Sequence, residues 1–292
     1  MIQKPRGTRD FLPDEMAQRR ELEQKMRKVA ASFGYGEIVT PMFEEQELFV
    51  LKSGEGILGE MYAFEDKGGR GIALRPELTA PTIRAYVNEA QVAPKPLRWF
   101  YFEECFRYER PQKGRYRQFW QFGCELIGAD SAAADAEVVA LAYSLLKCTG
   151  VNFIIKVGHL APMKSLLADL DAVEQKKVMS ALDKRDEELL KNTVASLGKP
   201  ELFEPLVALT KAQSLAEVFA VVGDIPEKAR IEETFGFLEA QNIPVVYNFG
   251  IARGLDYYTG MVFEGFADNL GAENQILGGG VYRLAHLFGG KD

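Results

Sequence analysis

The chain has 292 residues, 47% hydrophobic and 26% charged, which is enough apolar content for one large domain or two modest ones and too much for wholesale disorder. Its 35 basic and 42 acidic residues leave a net charge of −7, which argues against a basic coat for indiscriminate nucleic-acid binding but allows a local basic patch. Two histidines (His159 and His286), three cysteines with no C-x-x-C pair, a polar start and no apolar run of membrane length argue against a zinc site, a disulfide scaffold, a signal peptide and a membrane span, and point to the cytoplasm.

In chain order, Asp14 precedes a helical pattern in which Leu22, Met26, Val29 and Phe33 share a face, and Gly34-Tyr35-Gly36 stops it. Ile38 to Thr40 reads as a short strand closed by Pro41, and Met61–Asp66 with Gly71–Arg75 as a hairpin. Thr79 to Glu89 fits a helix. Leu97–Arg107 and Arg117–Ile127 are the most strand-like stretches. From about Ala161 to Gln241 Glu, Lys, Leu and Ala dominate with helical periodicity, which predicts an inserted helical domain. Strand character returns at Pro244–Asn248 and Asp256–Phe263; Gly278-Gly279-Gly280 reads as a flexible turn and Tyr282–Phe288 as a short helix. The expected organisation is α+β: a mostly antiparallel sheet flanked by helices, with core segments 1–160 and 242–292 around an insertion at 161–241.

Alternation along Arg117–Ile127 puts Trp120, Phe122, Cys124 and Leu126 on a core face and Phe119, Gln121, Gly123 and Glu125 on the other. On this strand alone, an ordinary solvated face and a ligand floor fit equally well. A carboxylate and an amide projecting together, with a glycine leaving room between them, suit an ammonium group. From Arg107 to Arg117 there are five basic residues (Arg107, Arg110, Lys113, Arg115, Arg117) against one acid, Glu109. A solvated turn is the plain reading; two arginines held at a sheet end can also clamp a polyphosphate, with Phe119 offering a stacking platform. No P-loop is present. Arg253-Gly254-Leu255-Asp256-Tyr257-Tyr258 adds a further cation beside glycine at a strand entry.

These residues carry a resemblance. Phe106-Arg107-Tyr108-Glu109 with its loop and Gln118–Glu125 resembles motif 2 of class II aminoacyl-tRNA synthetases, and the long helix and strand ending at Pro41 resemble motif 1. Arg6–Pro13, Leu74–Thr79, Arg253–Tyr258 and Gly278–Tyr282 resemble segments of the histidyl-tRNA synthetases, in the right order along essentially the whole chain. The resemblance implies histidine, ATP and tRNA(His) as substrates, a homodimer built on motif 1, and ATP carrying Mg2+ without a protein-bound metal. It implies that Arg107 holds the α-phosphate and Arg115 the γ-phosphate, that Phe119 stacks on adenine with Glu109 near the base or the tRNA end, and that Arg253 is the catalytic cation. Glu77, Thr79, Gln121 and Glu125 would bind the ammonium group of histidine and its surroundings, with Tyr258 and its neighbour Tyr257 at the imidazole. Trp120 stands where histidine or tyrosine is common in the family, but on the core face.

The family continues into motif 3 and an anticodon-binding domain, whereas this sequence stops at Asp292. The expectation is a catalytic domain with histidine binding at least partly kept and adenylation strongly impaired. The other reading is a non-aminoacylating paralogue, a histidine-sensing or regulatory module. Such paralogues tend to erode the arginine loop and substrate carboxylates and lack the helical insertion, whereas Arg107, Arg115, Gln121, Glu125 and Arg253 all remain here.

Overall fold

A computed structural model describes residues 2–110, 114–184, 186–251, 257–268 and 274–291. The first helix, α1 (Pro13–Ser32), starts with proline at its first position and Asp14 and Glu15 in its first turn, where a missing N–H and negative charge both suit a helix start. Its inward face differs from the expected one. Leu22 is 37% exposed, and the neighbouring Glu23 is buried instead, paired with Arg20 and Arg27 at 2.9 Å each. Met26, Val29 and Phe33 pack inward as the pattern predicts.

Strand β1 (Gly36–Glu37) comes earlier than the expected Ile38–Thr40. Ile38 still donates to the Phe100 carbonyl, but the carbonyls of Thr40 and Pro41 accept from the Arg75 guanidinium at 2.8 and 3.2 Å, so the ladder stops there. Next come β2 (Phe43–Glu45), α2 (Gln46–Ser53), β3 (Tyr62–Glu65) and β4 (Gly71–Leu74), the last two forming the predicted hairpin. Helix α3 (Thr79–Ala85) runs on as one π turn to Ala90.

The long strands β5 (Leu97–Phe106) and β6 (Gln118–Ile127) pair antiparallel without a slip, from Leu97 opposite Ile127 to Phe106 opposite Gln118. Helix α4 (Ala132–Thr149), capped by the Ser131 hydroxyl, covers one face together with α1; Phe122, Cys124 and Leu126 pack there against Ala30, Tyr35, Phe100, Leu141 and Leu145. Trp120 lies on that same face, against Phe11 and under the Arg19 guanidinium. The other face of β5 and β6 is left for the site.

Beyond β7 (Phe153–His159) six helices follow: α5 (Leu160–Leu166), α6 (Ala172–Asp183), α7 (Glu187–Ser196), α8 (Phe203–Lys211), α9 (Leu215–Val222) and α10 (Lys228–Ala240). Asp171 and Glu174 form a reciprocal capping box at the start of α6. Their buried leucines and valines, among them Leu206, Leu209 and Val218, join Ile155 and Val157 of β7 in one continuous core cluster. Then come β8 (Val246–Tyr247), β9 (Tyr258–Ala267) and β10 (Gln275–Tyr282), with a 3-10 turn at Ala285–Phe288 in place of the predicted helix from Tyr282.

The expected single sheet is present as three: β1-β5-β6, β10-β9-β7-β8 and β2-β4-β3, antiparallel except for the β1/β5 and β7/β8 pairs. The triple glycine is strand and not turn. Gly279 pairs opposite Phe263, whose ring occupies the place a side chain at 279 would take, and a Cβ at Gly280 would sit 2.6 Å from the Met261 carbonyl oxygen. Arg230 of α10 reaches Asp135 at the start of α4 at 2.9 Å and also pairs with Asp130; Asp130 in turn takes Arg283 at 3.1 Å, tying the helices to the end of β10.

Candidate active site

The open face of β5 and β6 is built around Glu125, which is only 6% exposed. One carboxylate oxygen accepts from the Tyr101 hydroxyl at 3.1 Å and the other from the Tyr282 hydroxyl, with the Thr79 hydroxyl as a further hydrogen-bond partner. Burial pushes the Glu125 carboxyl above the usual range, the hydroxyl donors pull against it, and the nearby Glu77 charge adds to the rise. Burial likewise pushes Tyr101 and Tyr282 up, so both stay neutral donors. Gly123 makes this possible. The Tyr101 ring lies in the space that a Cβ at 123 would fill, so the room expected between Gln121 and Glu125 holds a phenol of the partner strand. A side chain there would block the reach of Tyr101 to Glu125.

Beside this pair lies Glu77, just ahead of α3. It accepts the backbone N–H of Thr79 at 2.8 Å and of Ala80 at 3.1 Å, and pairs with the Lys52 ammonium at 2.9 Å. Burial alone would raise its pKa; the Lys52 charge and the N–H donors outweigh burial and hold the carboxyl below the usual range. The Lys52 side chain, at the end of α2, is 7% exposed and lies 4.9 Å from the Tyr257 ring centre. Tyr257 and Tyr258 meet at 4.3 Å between centres, and both approach Tyr282, at 6.2 and 6.4 Å. Burial pushes the Tyr258 hydroxyl up as well. Gln121 accepts weakly from the Cys105 thiol at 3.5 Å, and burial pushes that thiol up to about 12, which leaves it inert.

The strands' loop end has a different character. Arg107 donates to the Pro76 carbonyl at 2.9 Å, and its guanidinium lies 5.0 Å from the centre of the Phe119 ring. Glu109 sits between arginines, 3.8 Å from Arg107 and 3.3 Å from Arg115, while its carbonyl accepts from Arg117 at 3.1 Å. The Arg107 and Arg115 side chains are 39% and 46% exposed. Phe119 packs on Leu78, Tyr101 and Cys105. From Phe119 to Glu125 the floor runs about 20 Å at the usual rise of a strand.

The fold thus brings Glu77, Thr79, Glu125, Tyr257 and Tyr258 together at one end of a single face and Arg107, Glu109, Arg115 and Phe119 at the other, with Gln121 between them, two residues from Phe119 and beside Cys105. Arg253 lies outside the described residues. Three residues of the cluster were missed in the sequence: Lys52, Tyr101 and Tyr282. Tyr101 was within reach, because the hairpin register around the Arg110–Arg115 loop puts it on the same face as Glu125. A separate cavity of about 350 Å³, between α6–α8 and β7–β9, contains none of these residues.

Residues 7–292 match the family model described as histidyl-tRNA synthetase. The chain belongs to the histidyl-tRNA synthetase family. It is similar to a histidine–tRNA ligase of Methanocorpusculum labreanum, 81% identical over all of this chain and 71% of that protein. A histidine–tRNA ligase of Methanosarcina acetivorans is 53% identical, again over the whole chain and 71% of the relative. Among solved structures it is similar to the apo histidyl-tRNA synthetase of S. aureus (28% identity, 100% of this chain and 65% of that one, TM-score 0.68). A Bacillus halodurans protein described as an ATP phosphoribosyltransferase regulatory subunit/histidyl-tRNA synthetase superposes with TM-score 0.89 at 27% identity, over 99% of this chain and 78% of that one. The class II synthetase architecture expected from the motif 2 pattern is the one found.

Proposed function

We propose that this chain is the catalytic part of a histidine–tRNA ligase, activating histidine with ATP to histidyl-adenylate and transferring it to tRNA(His). The observation that carries this reading is that one strand pair holds, on one face, a buried carboxylate ringed by hydroxyls and, about 20 Å away, an arginine over an aromatic ring.

Histidine would bind with its ammonium toward Glu125, Thr79 and Gln121, Glu77 beside them, and its imidazole against Tyr258 and Tyr257. ATP would lie with its α-phosphate on Arg107, its γ-phosphate on Arg115 and adenine on Phe119, Glu109 standing near the base or the tRNA end. The carboxylate of histidine, already ionised at pH 7, attacks the α-phosphorus; the bond to the β-phosphate oxygen breaks and pyrophosphate leaves. No side-chain base is needed. Arg107 and Arg253 neutralise charge that builds on the α-phosphate. Mg2+ enters as the counter-ion of the ATP phosphates; among the described residues no group of three His, Cys, Asp or Glu side chains is arranged to hold a metal.

Pyrophosphate exchange with each of the twenty amino acids tests the reading. Exchange with histidine alone is expected, weak in this chain and restored in one extended through motif 3; exchange driven by another amino acid, or none in either form, would overturn it. The regulatory alternative predicts histidine binding with no exchange; the retained Arg107, Arg115 and Glu125 favour the ligase.

Homodimerisation belongs to the same reading. Val39, Met42, Phe43 and Phe64 are 67%, 44%, 56% and 49% exposed on or beside the three-stranded sheet that follows the motif 1 segment, and this apolar surface supports a covered face. Sedimentation of Phe43→Asp is expected to shift a dimer toward monomer. A tRNA role for segment 161–241 is tested by reversing exposed lysines such as Lys177, Lys184 and Lys191, since deletion would break the core shared with β7. Unchanged tRNA affinity would remove that role. The three free cysteines suit a cytoplasmic setting, and among the described residues no helix is long and apolar enough to cross a membrane.

A further inference from the structure

The base of the basic loop combines a fixed backbone with one loosely held side chain. The Arg107 N–H donates to the Arg117 carbonyl at 3.0 Å, the Tyr108 N–H to the Glu60 carbonyl at 2.8 Å, and Arg117 Nε to the Glu109 carbonyl at 3.1 Å. The Arg117 guanidinium also lies 4.2 Å from the centre of the Tyr108 ring. The Glu109 carboxylate is placed by charge instead. One of its oxygens is 3.8 Å from Arg107 Nη1 and the other 3.3 Å from Arg115 Nη1, so it spans the two arginines, one oxygen to each. A well-formed charged hydrogen bond measures about 2.7–2.9 Å, so both contacts are long. Turning the side chain about its own bonds releases them without moving the backbone. Arg107 is engaged elsewhere too, on the Pro76 carbonyl and beside the Phe119 ring, and Arg115 makes a further contact of its own.

A phosphate chain held by both arginines needs the same two guanidinium groups that Glu109 spans. A carboxylate and a phosphoryl group do not share that place, because the two anions repel each other. We propose that Glu109 is an internal stand-in for phosphate. It occupies the arginine pair while the site is empty, turns away when a polyphosphate enters and returns as pyrophosphate leaves. The observed dissociation constant is then the intrinsic one divided by the fraction of chains whose arginine pair is free. Once the α-phosphorus bond is cut, the adenylate keeps its phosphate on Arg107, and the return of Glu109 to Arg115 favours release of pyrophosphate. This rests on the nucleotide reading above and adds a control of the same site by an anion of the chain itself.

Titration calorimetry with inorganic pyrophosphate, in metal-free buffer of fixed ionic strength, tests the assignment. Pyrophosphate carries no base, so any part Glu109 plays beside adenine does not enter. Glu109→Gln removes the competitor and is expected to bind about fivefold tighter, the factor for a carboxylate that holds the pair about four-fifths of the time. Glu109→Asp keeps the charge but is one methylene shorter and no longer spans both arginines, so it is expected to bind at least about threefold tighter than the parent. In Arg115→Ala the pair no longer exists, and adding Glu109→Gln is expected to change the affinity by less than about twofold. Unchanged or weaker binding in Glu109→Gln overturns the proposal. So does a Glu109→Asp chain that binds like the parent, or a Glu109→Gln gain that persists in Arg115→Ala, because repulsion by net charge would then explain the gain without any contact. Melting curves identify a variant that is not folded, and if one substitution at 109 fails, the other decides together with Arg115→Ala. A parent chain that binds neither pyrophosphate nor ATP overturns the nucleotide reading itself; binding that no substitution at 109 alters overturns only the role of Glu109.

Discussion

The two ends of the β5/β6 floor are built on opposite principles. Around Glu125 and Glu77 the charges are buried or nearly so and matched by fixed donors: two phenols, a hydroxyl, two backbone N–H groups and one ammonium. Around Arg107 and Arg115 the charges are more than a third exposed and share one glutamate at 3.3 to 3.8 Å. On the proposed reading the buried end would recognise by shape and fixed polarity, with desolvation making each mismatch costly. The open end would attract by charge, tolerate movement and be screened by salt. An enzyme that must reject other amino acids while accepting a common nucleotide has reason to keep its stringent chemistry in the dry end.

The sharpest way to break this contrast is Glu125→Gln. Replacing a buried acceptor by an amide that confronts two phenols and a hydroxyl is expected to weaken histidine binding about 100-fold, or ~2.7 kcal/mol, while ATP binding changes little. Titration calorimetry with each ligand would show it, and equal losses for both would end the division. Next in size is Gly123→Ala. Its methyl would fall on the Tyr101 ring, so the expected cost is ~1–3 kcal/mol of stability together with weaker histidine binding, read from melting curves and titration. Arg107→Ala is expected to cost about tenfold in ATP affinity and to spare histidine. For the parent chain, raising salt from ~0.05 to ~0.5 M should weaken ATP binding and leave histidine binding nearly flat, since only the exposed charges are screened. Smallest is Glu109→Gln, expected to shift stability by no more than about 0.5 kcal/mol, because its contacts with Arg107 and Arg115 are long and partly solvated.

How much of this could be read in advance followed the range of the interaction. Alternation along Arg117–Ile127 located both faces of β6, and the basic run located the arginine end, because both are local patterns. Lys52 was silent. Its importance comes from Glu77, Tyr257 and Glu125, residues far apart along the chain that no periodicity links to a lysine at a helix end. Gly123 was noticed for the wrong reason: the space it leaves is filled by Tyr101 and not by a ligand. The triple glycine reads as a turn from sequence because glycine punctuates loops far more often than it serves a ladder in which neighbouring rings and carbonyls crowd the chain.

Arg75 shows how tightly these parts depend on each other. It is 1% exposed and follows β4, and its guanidinium donates to the carbonyls of Thr40, Pro41 and Glu104 and to the Glu103 carboxylate. Until the segment after β1, the hairpin and β5 are all in place, that cation has lost water without gaining its partners. Partial assembly is therefore penalised and the three segments are expected to open as one cooperative unit. In native-state hydrogen exchange the amides of β4 and of the Glu103 end of β5 should show the same opening free energy, although they belong to different sheets.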